Sequence, residues 1–546
     1  MAVVEFDIND LKKMCMGISE EKLVETLTNI GAPCEIADGD GTDSGRAGEK
    51  KKLVVEITPN RPDFFFIEGL ARAVNTFQKR KPREYVAKKS EYVVIVDASV
   101  NKIRPCSLCA VVKDLSLDAR RIDYLIQAQE KLMTTIGRKT RKFGMGFFDL
   151  KKITFPIKYT TRKPEEIVYR PLNYPKTANA REILAKHPKG IENGYIIEKF
   201  DRYPLYEDAN GRILVFIPIV NSDECGKIDE QTTDVFIEVT GTDMRVMEQV
   251  LNIVICSLID MGGTAHSVEM RYPDRKFQSL GGLVKWEMEL DIESANRTLG
   301  LELDKKEIGR LLAKMGYKTT GKKVMVPPYR MDIMHFVDIV EDIAIAYGYE
   351  KFEPVLPDFF TSGKTIGKTE KKIDDALKGM GFMEIVSPIL TSPDSIKSIG
   401  MKQSESAEVK NSKSEEFSII RPSLALSIIE CFARNKTKGL PQKFYEIGDI
   451  FDDGELERTM IFAVADKNTS FADIRGYAQT LFDEVGLGLK IENRTSEQSS
   501  GLMDEEKSGV IVIGEEVRGR IGLVNEEILK RFNLQSKVAI CEIMLD

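Results

Sequence analysis

Apolar residues recur at helical spacing at Leu11, Met14, Leu23, Val24, Leu27 and Ile30. The pattern predicts helix between Ile8 and Ile30. Asp38 to Gly48 is rich in turn-forming residues and reads as a loop. Lys52 to Ile57 is short, apolar and β-branched, which predicts a strand. Two prolines then bracket the turn Pro59-Asn60-Arg61-Pro62, and Pro62 suits the first turn of a helix. Phe64 to Phe77 carries Ile67, Leu70, Ala71 and Val74 on one helical face. Lys79-Arg80-Lys81-Pro82-Arg83 closes this segment as a basic, proline-marked linker.

From Glu91 to Arg271 the pattern mixes both periods. Strands are predicted at Tyr92–Val96, Leu108–Val112, Phe143–Phe148 and Ile213–Ile219, and helices at Ile122–Ile136 and Val246–Met261. That mixture is α+β rather than a βαβ repeat. From Leu283 to Phe352 a helix capped by Asp304, a hairpin turning near Gly321 and a helix over Val337–Tyr347 suggest a winged-helix-like module. Beyond Thr361, helices at Ile366–Met380 and Leu424–Ala433 accompany a run of strands. These are Met383–Ser387, Phe444–Phe451, Met460–Ala465, Gly509–Ile513, Gly519–Val524 and Val538–Leu545. Successive strands with few crossover helices predict an antiparallel sheet.

A chain of 546 residues has room for several cores. Its net charge of −7 argues against a protein that coats nucleic acid, while leaving room for a local basic patch. Eight cysteines are too sparse for a disulfide scaffold and read as reduced. No targeting segment is expected at the start, which turns acidic within ten residues. Val250–Met261 is broken by Asn252, Ser257 and Asp260 and falls short of the ~20 residues a span needs, so it reads as a buried helix.

The usual enzymatic signatures are missing. His187, His266 and His335 sit in no zinc or nucleophile context. Gly363-Lys364-Thr365 and Gly367-Lys368-Thr369 carry only the end of a phosphate loop, and Cys106-x-x-Cys109 lacks a second pair. Asp338, Glu341 and Asp342 fall at i, i+3 and i+4 on one helix, with Asp332 just before it. Such carboxylates suit Mg²⁺ or form a solvated acidic helix start, and spacing alone leaves both readings open. Asn60-Arg61-Pro62-Asp63 reads first as a structural turn. Gly137-Arg138-Lys139-Thr140-Arg141-Lys142 is either an exposed loop or a phosphate contact. Asn221-Ser222 and Thr240-Gly241-Thr242 offer small polar groups for a pocket or for ordinary turns.

Taken in order, these segments resemble the phenylalanyl-tRNA synthetase beta-subunit family of the archaeal and eukaryotic type, over essentially the whole chain. The resemblance rests on Ile57–Asp63 with Glu68–Ala73, Arg104-Pro105 with Ala110–Val112, and Gln129–Leu132 through Ile136–Arg138. It continues in Ile219–Ser222, Phe236–Asp243, Tyr329–Ile333, Val337–Asp342 and Tyr347–Tyr349.

The resemblance implies a cytoplasmic α₂β₂ enzyme that joins phenylalanine to tRNA(Phe) with ATP, the aminoacylation site lying in the alpha subunit. It implies an α+β multidomain chain in four parts. These are an N-terminal domain (1–88), a mixed-sheet tRNA-editing domain (89–275), the winged-helix-like module (276–357) and a catalytically silent, class II synthetase-like antiparallel core (358–546). The editing domain would hydrolyse tyrosine wrongly attached to the tRNA, since a pocket for phenylalanine rejects tyrosine only through one hydroxyl. Its pocket is expected to include Asn221, Ser222, Glu238, Thr240 and Thr242, with no protein nucleophile assigned. Asp332, Asp338, Glu341 and Asp342 are the implied Mg²⁺ ligands, completed by the alpha subunit. Two departures lie in the editing domain. Phe148 stands before Asp149-Leu150 where relatives often carry His, and Ile-Pro-Ile-Val precedes Asn221. In the core, Arg421 and Arg434 are candidates to grip ATP but fall on or beside a helix. The competing readings are a stand-alone tRNA-binding or trans-editing protein and a DNA-binding regulator. The acidic Asp338–Asp342 helix speaks against the last.

Overall fold

The computed structural model describes all residues except 1, 39–50, 79–80, 284–285, 358–360, 362, 364–366, 402–406, 453, 487, 493–500 and 546. Most of the expected Asp38–Gly48 loop, the start of the Lys79–Arg83 linker and Lys364-Thr365 therefore lie outside the described residues. The chain divides into two compact units, Met1–Val355 and Leu356–Asp546.

In the first unit, strands Ala2–Asp7, Lys51–Ile57 and Cys34–Asp38 form an antiparallel sheet with Lys51–Ile57 at its centre. The helices Ile8–Met14, Glu20–Asn29 and Ile67–Phe77 bury the apolar faces anticipated from the spacing. Next comes a four-stranded antiparallel sheet, ordered Thr264–Ser267, Cys106–Lys113, Val235–Gly241, Phe143–Asp149. Its strands are apolar on both faces because both are covered. Leu108, Ala110, Val112, Ile237 and Val239 join the core beneath helices Ala119–Thr134 and Met244–Asp260. That core also contains Phe6, Leu53, Phe64 and Leu70, so residues on either side of position 88 share one apolar interior. Cys109, Val111, Phe148 and Phe236 face the other way, onto a seven-stranded mixed sheet that contributes Val94, Tyr159, Tyr206 and Leu214.

Residues 286–347 form a three-stranded sheet, Trp286–Glu289, Lys323–Val326 and Lys318–Thr320, packed on helices Ile292–Leu299, Lys305–Lys314 and Phe336–Tyr347. The hairpin turns at Gly321, whose φ of 61° suits glycine. The first strand and the Ile292–Leu299 helix add to the expected helix, hairpin and helix.

The second unit is built on a seven-stranded sheet. Every pairing is antiparallel except that of Met383–Glu384 with Gln442–Asp452. Alternation sends Phe444, Ile461, Ala463 and Ile540 toward the helix Ala425–Arg434. It sends Tyr445, Phe462, Ala539 and Cys541 toward helices Lys368–Gly379 and Phe471–Val485. The strand expected to run from Met383 to Ser387 is only two residues long.

One buried polar knot ties the first unit together. Arg72, on Ile67–Phe77, is buried and sits 2.5 Å from Asp260 at the end of Met244–Asp260. Tyr85 Oη donates to the same carboxylate at 3.0 Å, and the Arg72 guanidinium lies 3.9 Å over the Tyr329 ring. Asp63 stands 3.8 Å from Arg72 and accepts two 2.9 Å bonds from Arg61, so the Asn60–Asp63 segment is indeed a structural turn. Removing one partner of such a pair strands a charge out of water. Arg72→Leu is expected to lose about 3–5 kcal/mol, read from the urea midpoint, with Arg72→Lys falling in between. An unshifted midpoint would show that the knot carries no stability.

Candidate functional site

The first unit holds a cavity of about 670 Å³. It lies along the free edge of strand Phe143–Asp149, the outermost strand of the four-stranded sheet. Helices Ala119–Thr134 and Pro188–Asn193 and the stretch 215–221 supply the other walls.

Three of the five residues expected in a pocket line it: Asn221, Glu238 and Thr240. Glu238 and Thr240 are two apart on Val235–Gly241, so they share one face of the strand. The other two do not reach the cavity. Ser222 is buried beside it, with its N–H on Leu214 O at 2.8 Å and its Oγ accepting from the Glu224 N–H. Thr242 is exposed, because the strand ends at Gly241 and Asp243 turns the chain by capping the next helix.

Glu238 is fully buried. Burial pushes its carboxyl up to about 8, against the opposing charge of Arg104. Glu238 Oε2 and Thr240 Oγ1 are buried without a hydrogen-bond partner among the described residues. Arg104, itself buried, donates to Thr240 O at 2.8 Å, Thr140 O at 3.2 Å and Arg141 O at 3.4 Å. It thus joins the strand behind the cavity to the loop at its rim. Gly146 stands opposite Glu238 on the edge strand. A Cβ there would come within 2.8 Å of the Phe148 ring and 3.0 Å of Glu238 Oε1, so glycine leaves the space both side chains occupy. Phe148 fills the apolar layer between the two sheets and offers no hydrogen bond.

On the free edge, Met145 O accepts from Gln129 Nε2 at 2.7 Å and Phe147 O from Asn221 Nδ2 at 3.5 Å. Antiparallel pairing sends a residue's N–H the same way as its carbonyl, so the N–H groups of Met145 and Phe147 also face the cavity. Gln129, Thr140 and His187 line it as well. Periodicity marked Gln129 only as part of a helix, and nothing local in the sequence placed His187 on the same cavity as Glu238. His187 has a structural task, its Nδ1 accepting from the Lys189 N–H at 3.1 Å. Cys109 is no nucleophile here, since burial raises its thiol far above the ordinary range.

The four carboxylates expected to bind Mg²⁺ are not brought together as a ligand set. Asp332 accepts from Arg330 at 2.8 and 2.7 Å. Burial pushes its carboxyl up, but the Arg330 charge and hydrogen bonds outweigh this and hold it below its ordinary value. Asp342 is buried, 2.6 Å from Arg330, and accepts from Tyr317 Oη. Asp338 turns back to accept from the N–H groups of Met334 and His335. Glu341 is exposed. Among the described residues no group of three or more His, Cys, Asp or Glu side chains is arranged to hold a metal ion. Helical spacing put Asp342 beside Asp338 and Glu341, but Arg330 draws it inward.

In the second unit, Arg421 is buried and 2.7 Å from Glu446, and Arg434 is exposed beside Glu430. Arg520 makes a matching buried pair with Glu542, bonded at 2.8 Å through Nε. The buried guanidinium groups on this sheet are thus already neutralised within the fold.

Two measurements check these assignments. Asp342→Ala leaves Arg330 buried beside Asp332 alone and is expected to cost about 3–5 kcal/mol, seen as a lowered urea midpoint; an intact midpoint would make Asp342 a surface acid. Glu238 keeps its proton in the folded chain from about pH 4.5 to about pH 8, whereas the unfolded chain has lost it. Its burial therefore costs stability increasingly as pH rises through that window, and no further above it. Glu238→Gln removes the cost, so the variant should gain on the parent between about pH 5 and about pH 8 and then level off. Glu68, also pushed up by burial, to about 7, titrates in both proteins and drops out of the difference.

The family model of the tRNA synthetase B5 domain matches residues 288–349, and that of the phenylalanyl tRNA synthetase beta chain CLM domain matches 352–545. The phenylalanine–tRNA ligase beta subunit of Archaeoglobus fulgidus is 32% identical, covering 100% of this chain and 98% of that one. That of Methanothrix thermoacetophila is 31% identical over 100% of both. An N-terminal fragment of the phenylalanyl-tRNA synthetase beta subunit from Pyrococcus horikoshii superposes with a TM-score of 0.60 at 32% identity, covering 63% of this chain and 99% of that one. With a full-length relative above 30% identity and this fold in common, the chain belongs to the phenylalanine–tRNA ligase beta-subunit family.

Proposed function

We propose that this chain works in the cytoplasm as the beta subunit of a phenylalanine–tRNA ligase, beside an alpha subunit that joins phenylalanine to tRNA(Phe) with ATP. We further propose that its cavity hydrolyses tyrosine wrongly attached to that tRNA. The observation that carries this reading is the pair of buried, unpartnered polar atoms, Glu238 Oε2 and Thr240 Oγ1, at the cavity wall. A phenylalanine ring entering there leaves both unpaired, whereas a tyrosine hydroxyl pairs with them, and that asymmetry selects for tyrosine. The ester would be cleaved by a positioned water, with the Met145 and Phe147 N–H groups available to the developing oxyanion.

The remaining parts follow the same reading. Residues 89–275 would form the editing domain and 276–357 the winged-helix-like module. Residues 358–546 would form the class II synthetase-like core, kept silent by the Arg421–Glu446 and Arg520–Glu542 pairs. Of the expected Mg²⁺ ligands, Asp338 and Glu341 are the two that hold no arginine. They are the donors this chain could lend to an ion shared with the alpha subunit. All eight cysteines are free, and among the described residues no helix is long and apolar enough to cross a membrane.

The test is deacylation of Tyr-tRNA(Phe) by the reconstituted complex. Glu238→Leu, which removes both donor and acceptor, should lower the rate at least about 10-fold, and Thr240→Trp, which intrudes on the cavity, about 100-fold. Full hydrolysis in both variants would place editing elsewhere. The chain without its partner should show no phenylalanine-dependent ATP–pyrophosphate exchange; robust exchange would mean the core is not silent.

A further inference from the structure

The loop between helix Ala119–Thr134 and the edge strand is unusual in its backbone. Arg138, Lys139 and Thr140 all take left-handed φ values, 50°, 54° and 63°. Three successive L residues in that region are unfavourable, so the surrounding structure must hold them. Arg104 does so from inside, through the Thr140 and Arg141 carbonyls, and Tyr195 Oη from outside, donating to Lys139 O at 3.1 Å. The N–H groups of all three are already bonded, to Thr135 O and to Thr134 O and Met133 O at the end of the helix. Anything this loop recognises is therefore met by its side chains.

Those side chains divide sharply. Thr140 is buried and lines the cavity. Arg138 and Lys139 are exposed, and among the described residues neither has a carboxylate partner. Three neighbouring cations are engaged. Lys142 is 3.4 Å from Asp243, Lys189 is 3.1 Å from Glu192, and Arg141 bonds Tyr195 Oη at 3.3 Å. On a chain of net charge −7, two uncompensated cations thus stand one and two residues from the wall of the cavity.

We propose that Arg138 and Lys139 grip backbone phosphates of the single-stranded RNA 3′ end whose esterified terminal nucleotide enters the cavity. The proposal rests on the hydrolytic reading above and names the part of the substrate that the cavity itself does not touch. Arginine and lysine suit phosphate oxygens, and the rigid loop keeps their spacing to the cavity constant. The recognition is of charge and spacing, so it is indifferent to the bases.

The experiment uses the reconstituted complex carrying the double substitution Arg138→Gln and Lys139→Gln, which removes charge and keeps side-chain length. Hydrolysis of Tyr-tRNA(Phe) should lose about 10-fold in kcat/KM near 0.15 M salt, carried by KM. The slope of log kcat/KM against log salt should become shallower by roughly 1.4, at about 0.7 per phosphate contact on a single strand. The penalty should be much smaller on the tyrosyl ester of adenosine, which has no backbone phosphate. Lys142→Gln, which removes a cation already held by Asp243, should move the slope by less than half as much. An unchanged slope, an equal penalty on both substrates, or a fall confined to kcat would overturn the proposal while leaving the cavity reading intact. Undiminished hydrolysis in both Glu238→Leu and Thr240→Trp would remove that reading, and the proposal with it.

Discussion

The buried guanidinium of Arg72 is the constraint around which the first unit is organised. A cation out of water must be met by opposite charge and hydrogen bonds, or it unfolds what surrounds it. Its partners come from distant parts of the sequence: Asp63 from the turn before its own helix, Asp260 from the end of Met244–Asp260, and Tyr329 from the stretch before Phe336–Tyr347. Satisfying that one charge fixes where the N-terminal helices, the four-stranded sheet and the three-stranded sheet meet. The shared apolar core then packs around an arrangement that the charge has already restricted.

The same device recurs with different degrees of completion. Arg330 is closed by Asp332 and Asp342, Arg421 by Glu446 and Arg520 by Glu542. Each of these is an internal joint. Arg104 differs, because its hydrogen bonds all go to carbonyl oxygens and none to Glu238. Glu238 is left with a carboxyl that burial keeps neutral and an oxygen without a partner. A buried polar group left unsatisfied costs stability, and its place beside a 670 Å³ cavity is what makes this wall the candidate site.

Much of the fold was legible in the sequence because apolar periodicity reports burial directly. Ile67–Phe77 and Met244–Asp260 lie within a few residues of their expected spans, and the antiparallel sheet of the second unit was visible in its run of short apolar strands. Phe471–Val485 was missed, since Gly476 and the scattered polar residues dilute its apolar face. The site was less legible, because its residues come from separate elements. Glu238, Thr240 and Asn221 were reached through the family resemblance, since no strand was expected over Val235–Gly241, and Gln129 and Thr140 meet them through tertiary packing that no local pattern encodes. The arrangement of the acidic cluster was illegible for the same reason. Helical spacing correctly set Asp338, Glu341 and Asp342 on one helix, but it carried no information about an arginine arriving from residue 330 to claim two of the four carboxylates.

Phe148 turns a departure in sequence into a physical statement about the cavity. The ring and the Glu238 carboxylate both lie within 3.0 Å of where a Gly146 Cβ would stand, so the two are near neighbours. A histidine there could share a proton with Glu238 and favour its ionised form. The phenyl ring cannot, and it thickens the apolar layer that raises the Glu238 pKa to about 8. A carboxyl that remains protonated near neutral pH both donates and accepts, whereas a carboxylate only accepts. It can therefore meet a phenolic hydroxyl in either sense without placing an uncompensated charge in the cavity. Under the proposed editing role the phenyl ring would thus supply selectivity by neutrality, which depends on Gly146 keeping space for the ring and on Arg104 keeping its hydrogen bonds elsewhere.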